Sequence, residues 1–329
     1  MMVFKLFPKE KTTLLWKDLC FGSSSLFGAL SNGMVELYGE EELCNFAKAV
    51  SEDEIKISSL FPLLRWGGED ILFLPRPILP YGRKREAEGR SSEVKKVKKV
   101  KWLSFDAFFE LGRSIVYDES EKAFYHGYDF SIDGIWEDIF YVPGIVKEEL
   151  KKVFPFAKLE RPHASIDRLD YSSNLFFTNE ILVAYPLGFY FICELSEYWK
   201  EKLISVVKFI ADEGLGGGRS EGMGIFNRLE IEERNIFPQV KSVVGYVGLS
   251  RVYPLRDEID NVCYFSLVKD DGFVYMGGGR SIKKSRVMML SEGSFYKGEV
   301  KGRLFEEKSG DIRIFRNGKS FLVPVGDVN

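Results

Sequence analysis

The 329-residue sequence has few of the side chains on which hydrolytic and metal chemistry usually depends. It contains only two histidines, His126 and His163, which is too few to favour a histidine-based nuclease or a metal site. None of its four cysteines stands in a CxxC pair, so neither zinc nor a disulfide framework is expected. The cysteines are Cys20, Cys44, Cys193 and Cys263. We expect them to be buried thiols, and we expect no metal and no cofactor.

Long apolar runs and a signal peptide are also missing. The longest apolar run, Ile181 to Cys193, is interrupted by Pro186 and Gly188 and is too short to span a bilayer. Positive and negative charges nearly cancel, with 46 Lys and Arg against 49 Asp and Glu. A protein that coats nucleic acid is basic overall, so any RNA site here must be local. We expect a cytoplasmic protein without membrane contact.

The most distinctive stretch runs from Gly214 to Phe226 and begins Gly-Leu-Gly-Gly-Gly-Arg-Ser-Glu-Gly-Met-Gly. A helix is predicted before it from apolar residues spaced three and four apart, namely Trp199, Leu203, Val206 and Ile210. Gly214 is then the helix C-terminal cap, and residues 225–231 are predicted to form a strand. A dinucleotide site needs the order strand, loop, helix, and no frame here reads GxGxxG. A P-loop is excluded because no Lys-Ser/Thr pair follows the last glycine.

Since neither of these glycine-loop types fits, the stretch is interpreted as a surface of glycine backbone that carries one cation, Arg219. Glycines allow a ligand to approach the backbone closely, and arginine is well suited to bind phosphate. The candidate binding residues are Gly216, Gly217, Gly218, Arg219 and Ser220. The alternative is a flexible surface loop that only caps the helix.

Two further stretches have the composition of anion sites. Ser23, Ser24 and Ser25 are N-cap candidates for a helix with Leu26, Leu30, Met34 and Leu37 on one face, and a helix N-terminus can hold phosphate. Simple capping explains these serines equally well. The segment Arg83 to Lys101 has nine Lys and Arg against three Glu, and we expect it to be solvated and partly mobile. It is either a solubilising loop or a positive surface near RNA or an acidic partner.

The glycine stretch resembles the glycine-rich loop of the RAMP superfamily, the RNA-binding proteins of CRISPR effector complexes. In that family the loop joins the second helix to the last strand of a ferredoxin-like fold. Residues 57–62 and 72–77, Ile-Ser-Ser-Leu-Phe-Pro and Leu-Phe-Leu-Pro-Arg-Pro, narrow the resemblance to the fourth subunit of the Csm complex, the type III-A effector. The Ile-Asp-Arg core at 166–168 resembles the segment that leads into the family's thumb, which adds His163 and Arg168 to the candidate RNA contacts.

The second half of the chain repeats part of this pattern. Residues Gly216 to Ser220 recur identically as Gly277 to Ser281. Four cations, with no acid between them, lie near the end of this repeat or just after it. Three of them, Arg280, Lys283 and Lys284, are candidate RNA contacts, and the fourth is Arg286. The repeat fits a second, degenerate ferredoxin-like domain, although five matching letters that are mostly glycine also arise by chance.

The resemblance implies an α+β protein of two ferredoxin-like (RRM-like) domains, with residues 1–235 in the first and 236–329 in the degenerate second. A basic and thumb-like insertion is expected at about 82–180. The implied function is non-catalytic: binding the 5′ handle of the crRNA, and contacting the large polymerase-like Csm subunit and the backbone RAMP subunit. The alternatives are a metal-independent CRISPR RNA endonuclease of the same superfamily and a scaffold that contacts only protein.

Overall fold

The computed structural model describes residues 1–82, 93–144, 155–166, 172–275, 281–309 and 312–328. These residues form an α+β protein. Its α-helices are α1 (Ser23–Tyr38), α2 (Glu40–Ser51), α3 (Glu93–Lys99), α4 (Phe105–Arg113) and α5 (Glu197–Glu213). Short 3-10 helices span Ile132–Gly134, Arg219–Glu221 and Arg256–Asn261.

The strands of residues 1–235 are β1 (Met2–Phe7), β2 (Lys11–Leu14), β3 (Lys56–Ile57), β4 (Phe61–Trp66), β5 (Glu69–Pro75), β6 (Trp102–Ser104), β7 (Ile115–Asp118), β8 (Ala123–His126), β9 (Ile135–Trp136), β10 (Phe140–Tyr141), β11 (Phe156–Ile166), β12 (Ser173–Ala184), β13 (Leu187–Glu194) and β14 (Arg228–Glu233). Those of residues 236–328 are β15 (Val240–Gly248), β16 (Val262–Tyr264), β17 (Leu267–Asp270), β18 (Phe273–Tyr275), β19 (Ser281–Lys283), β20 (Val287–Leu290), β21 (Phe295–Tyr296), β22 (Gly302–Ser309), β23 (Ile312–Lys319) and β24 (Leu322–Val328).

The largest sheet has nine strands and runs β14-β1-β13-β4-β5-β6-β10-β9, with β3 paired to β13. Its first four strands are antiparallel to one another, and the chain visits them in the order β1, α1, β4, β13, α5, β14. Strand β13 lies inside this group, which explains why nearly all of its residues are apolar and buried on both faces. The helix predicted before the glycine stretch is confirmed as α5, and the strand after it is β14.

Helices α1 and α5 pack against each other and close the core of the first half. A Cβ built on Gly33 of α1 would lie 2.9 Å from Val206 and 3.0 Å from Ile210 of α5, so a glycine is needed for this close approach. The apolar face predicted for α1 is buried at Leu26, Leu30 and Met34, whereas Leu37 is exposed. A smaller three-stranded sheet, β11-β12-β2, carries the long β11–β12 hairpin away from this core.

The second half contributes the four-stranded sheet β16-β21-β15-β24 and packs directly on the first. Helix α4 lies against β24, where a Cβ on Gly112 would stand 3.2 Å from Val325. The largest apolar cluster is therefore continuous between the halves and includes Leu249 and Val325 together with α1 and β13. The domain boundary at residue 235 stays a prediction.

A buried ion network also joins the two halves. Asp270 at the end of β17 is 1% exposed, and its carboxylate accepts hydrogen bonds from Ser24 Oγ at 2.6 Å and Arg316 Nη2 at 2.6 Å. Lys284 Nζ and Arg251 Nη1 each lie 3.8 Å from the same carboxylate. Burial alone would raise the pKa of Asp270, but Lys284, Ser24 and Arg316 outweigh it and hold that pKa below its ordinary value. The carboxylate is thus charged and satisfied.

We predict that Asp270→Asn destabilises the protein by about 3–5 kcal/mol at pH 7, because it removes one of the two carboxylates that pair with the buried Arg316, the other being Glu307, and also the charge that faces Lys284. The carboxylate pKa is lower in the folded state, so its contribution is fully present above the unfolded pKa of about 3.9. It is lost as the pH falls through the folded pKa. Urea unfolding of both proteins at pH 7 and near pH 3 measures the difference, which should shrink in acid. The exposed Asp212→Asn is the control, and a difference that is independent of pH would contradict the assignment.

Candidate nucleic-acid interface

The glycine-rich stretch forms a structured loop. Gly214 has φ +99° and caps α5, with its N–H donating to the Ile210 carbonyl oxygen, as predicted. A 3-10 turn at Arg219–Glu221 follows, flanked by Gly218 and Gly222 in the left-handed conformation. The loop has defined internal hydrogen bonds and Gly214 caps the helix, as both alternatives require, so the ligand role of the loop stays a prediction.

The loop docks on the free edge of β2. Gly224 N–H donates to the Thr13 carbonyl oxygen at 2.8 Å, Gly217 forms an antiparallel bridge with Leu15, and Trp16 Nε1 donates to the Leu215 carbonyl oxygen at 3.0 Å. The other edge of β2 pairs with β12. One short strand therefore holds both the glycine loop and the β11–β12 hairpin.

In this loop, Gly216 and Gly224 must be glycine for two reasons: each has a positive φ, and a Cβ at either position would clash with a neighbouring atom. A Cβ on Gly216 (φ +103°) would lie 2.5 Å from Trp16 Nε1, and a Cβ on Gly224 (φ +75°) would clash with the Leu215 carbonyl oxygen. Gly222 also has a positive φ, +78°, but nothing lies within 4 Å of its Cβ position. The outer side of the loop, at Gly217 and Ser220, is exposed, and Arg219 is half-buried.

The first turn of α1 lies in the same groove as the loop. The prediction that the serines cap this helix is wrong: the N-cap residue is Gly22, which has no side chain to form a cap, and the serines are the first helical residues. Their hydroxyls are used differently. Ser24 binds Asp270, and Ser23 Oγ accepts the backbone N–H of Arg251 at 2.9 Å. Ser25 is half-buried and lines the groove.

The groove between the two halves is open and has a volume of about 2380 Å³. Among the described residues, nine Lys and Arg line it against six Asp and Glu, whereas the whole chain carries an excess of acid. The groove collects most of the candidate residues that the sequence predicts: Ser24, Ser25, Gly216, Gly217, Gly218, Arg219, Ser220 and Lys284. A local basic site on an acidic chain is the arrangement expected for a specific RNA contact.

The basic insertion contributes to this groove. Residues 83–92 lie outside the described part of the chain, but 93–99 form helix α3, so this part of the insertion is helical. Val100 is buried, which anchors the segment, and Lys98 and Lys101 line the groove. Lys101 forms an ion pair with Asp18.

The second GGGRS segment is described only at its end. Arg280 and the glycines before it lie outside the described residues, Ser281 begins β19, and Lys283 is exposed. Lys284 is only 12% exposed and faces Asp270, and burial lowers its pKa. No acid stands among these cations in the sequence, but the structure brings Asp270, at the end of β17, to Lys284.

His163 and the thumb-like segment form a separate feature on the β11–β12 hairpin. The His163 ring stacks on Phe176, with centroids 5.1 Å apart, and its Nε2 lies 2.8 Å from Thr178 Oγ1. These neighbours orient the ring, and Thr178 Oγ1 in turn donates to Glu180 Oε1 at 3.3 Å. Arg168 lies outside the described residues. The hairpin residues do not line the groove of the glycine loop.

The groove also contains residues that the sequence patterns did not single out. Arg251 is largely buried and lies 3.3 Å from Glu292, with its guanidinium against Gly22 at the start of α1. Lys17 and Phe273 are exposed on the groove wall. No local motif marks these three residues, because strands distant in sequence bring them together.

No cluster of three or more metal-ligating side chains occurs in the described part of the chain. The four cysteines are free, but only Cys193 is buried, so the expectation of four buried thiols is wrong for the half-buried Cys20, Cys44 and Cys263. No helix among the described residues is long and apolar enough to cross a membrane.

Comparison with known proteins supports one family. Residues 242–325 match the family model of the CRISPR Csm4 C-terminal domain. The chain is 28% identical to the CRISPR system Cms protein Csm4 of Methanocaldococcus jannaschii, covering 86% of this chain and 80% of the relative. The Csm4 protein of Thermococcus onnurineus is 23% identical over 85% of this chain and 83% of that protein. The chain is thus similar to Csm4 proteins over most of its length.

Solved structures are similar to this chain in fold. A chain of the Csm3–Csm4 subcomplex in the type III-A CRISPR–Cas interference complex superposes with a TM-score of 0.70 at 22% identity, covering 99% of this chain and 100% of that one. A chain of the Csm1–Csm4 cassette in complex with pppApA gives 0.61 at 19% identity, covering 100% and 97%. At these identities the likeness concerns the α+β fold alone.

The loop geometry predicts different costs for two glycines of similar φ. Gly224→Ala should destabilise the protein by about 2 kcal/mol or more, because a left-handed residue and a carbonyl clash combine. Gly222→Ala should cost only about 1 kcal/mol, since its Cβ enters open space. Urea unfolding measures both. Equal costs at the two positions would show that Gly224 does not pack against the Leu215 carbonyl as described.

Proposed function

We propose that this protein is a non-catalytic crRNA-binding subunit of a type III-A CRISPR interference complex, and that it holds the 5′ handle of the guide RNA. One observation carries the proposal: the glycine loop, the first turn of α1 and the Lys284 segment line a single basic groove in an acidic chain. Exposed glycine backbone and Arg219 suit phosphates, and single-stranded RNA combines such contacts with stacking of its bases.

We further propose that residues 1–235 form a ferredoxin-like unit. The strand order β14-β1-β13-β4 and the chain order β-α-β-β-α-β support it. The glycine loop then joins the second helix of that unit to its last strand. The described part of residues 236–329 has a four-stranded sheet, and its only helix is the 3-10 helix Arg256–Asn261. A sheet without α-helices supports a second ferredoxin-like domain that is degenerate.

The proposed protein partners are the large polymerase-like subunit and a backbone RAMP subunit. The similar solved structures are of Csm4 with Csm3 and of Csm4 with Csm1, which supports the same two kinds of partner for this chain. We propose that the chain bridges them and works inside the cell.

Arg219→Ala should weaken binding of a labelled crRNA by about 1–3 kcal/mol with little loss of stability. The side chain sits on the groove side of a docked loop, where removing it deletes a charge-assisted phosphate contact. The exposed Arg256→Ala, outside the groove, is the matched control for loss of one positive charge. Filter binding measures both, and equal affinity of the two variants with folded protein would reject this role of Arg219.

The endonuclease alternative is tested with His163→Ala. We predict that wild-type protein retains labelled repeat RNA in the absence of metal without cutting it, and that the variant behaves alike. The reason is that the direct partners of the imidazole are a hydroxyl and a phenyl ring, and the carboxylate linked to it through Thr178, that of Glu180, is paired with Arg161. Denaturing gel electrophoresis reports cleavage. Metal-independent cutting that disappears in the variant would establish an enzyme, and absence of both cutting and binding would favour the protein-only scaffold.

A further inference from the structure

Phe273 is the most exposed large apolar side chain in the described part of the chain, at 67%. The phenylalanines of the hydrophobic core are buried, most of them fully, and phenylalanine is a residue type that is usually buried. The exposure of Phe273 is therefore unusual. Phe273 also lines the basic groove, as do the exposed Lys17 and the half-buried Lys269, which both lie against Asp271, two residues before Phe273. An aromatic ring among cations on the wall of an open groove offers a stacking surface and phosphate contacts together.

The backbone around Phe273 is firmly held. Asp270, three residues earlier, is bound through its carboxylate to α1 and through its carbonyl oxygen to Arg316 Nη2 at 2.7 Å. Lys284 N–H donates to the Gly272 carbonyl oxygen at 2.8 Å. A ring on such a support loses little freedom when a ligand covers it.

Lys283 is the direct cross-strand partner of Phe273 in the β18–β19 pair. Residues paired in this way project on the same face of the hairpin, and both are exposed. The pair therefore presents a ring and an ammonium group side by side.

A continuous path leads from Phe273 to the glycine loop. Asp271 forms an ion pair with Lys17 at 3.7 Å, and Leu15, two residues before Lys17, bridges to Gly217. An RNA strand lying across Gly217 and Lys17 would reach the Phe273 wall.

We propose that Phe273 is a stacking platform for one base of single-stranded RNA and that Lys283 contacts a neighbouring phosphate. This inference rests on the proposed RNA-binding function. It adds a base contact in the second half of the chain to the phosphate contacts of the glycine loop. The positive groove favours RNA over an apolar protein segment as the occupant.

The test uses full-length protein and fluorescent repeat RNA in anisotropy titrations. Phe273→Ala should raise Kd roughly 5- to 160-fold, which corresponds to about 1–3 kcal/mol for one stacked base. Phe273→Trp should bind the RNA about as tightly as wild type, because the larger tryptophan ring still stacks on the base. Lys283→Gln should flatten the dependence of log K on log salt by about 0.7, whereas Phe273→Ala should leave that slope unchanged. Phe265→Ala, an exposed phenylalanine outside the groove, should bind as wild type.

A scan of abasic positions in the RNA identifies the stacked base. One abasic position should weaken binding to wild type and have no further effect on Phe273→Ala, because the partner ring is already missing. Unchanged Kd for Phe273→Ala together with weaker binding of Arg219→Ala would overturn the stacking proposal and leave the proposed function intact. Absence of RNA binding by wild-type protein would overturn both. A loss in Phe273→Ala that every abasic RNA shares equally would also reject a specific stacked base.

Discussion

The buried carboxylate of Asp270 is the interaction on which the groove depends. It binds Ser24 at the start of α1 and Arg316 on β23, and so connects the first half of the chain to the strands of the second. A charge at this depth is stable only when it is fully partnered, which restricts the halves to one relative position. The groove exists because this position leaves open the space between α1, the glycine loop and β17.

The groove reconciles an acidic chain with the proposed RNA-binding role. Long-range attraction by net charge is absent, so affinity must come from cations placed within a few ångströms of phosphates. Several basic groups here are held by acids, as Lys101 is by Asp18 and Lys284 is by Asp270. Such pairs position the cations but reduce the charge they offer. Exposed backbone at Gly217 adds contacts without that compensation, whereas Lys17, although exposed, faces Asp271 at 3.7 Å.

Strand β2 connects the β11–β12 hairpin to the glycine loop, two features that were identified separately in the sequence. One edge carries β12 of the long hairpin, and the other receives the glycine loop. A strand of four residues with both edges occupied cannot shift its register without breaking hydrogen bonds on both sides. Hairpin and loop are therefore held in a defined relative position.

The sequence by itself determined the local elements and the central loop. The spacing of apolar residues predicted α5 and Gly214 predicted its end, because periodicity and caps are local properties. The run of glycines indicated a candidate site built from backbone groups. The sequence could not give the true cap of α1, the acid that faces Lys284, or the place of Phe273 on the groove wall. These depend on contacts between residues far apart in sequence, such as Ser24 and Asp270, 246 residues apart. Only the tertiary structure decides such contacts, because they form when whole elements pack.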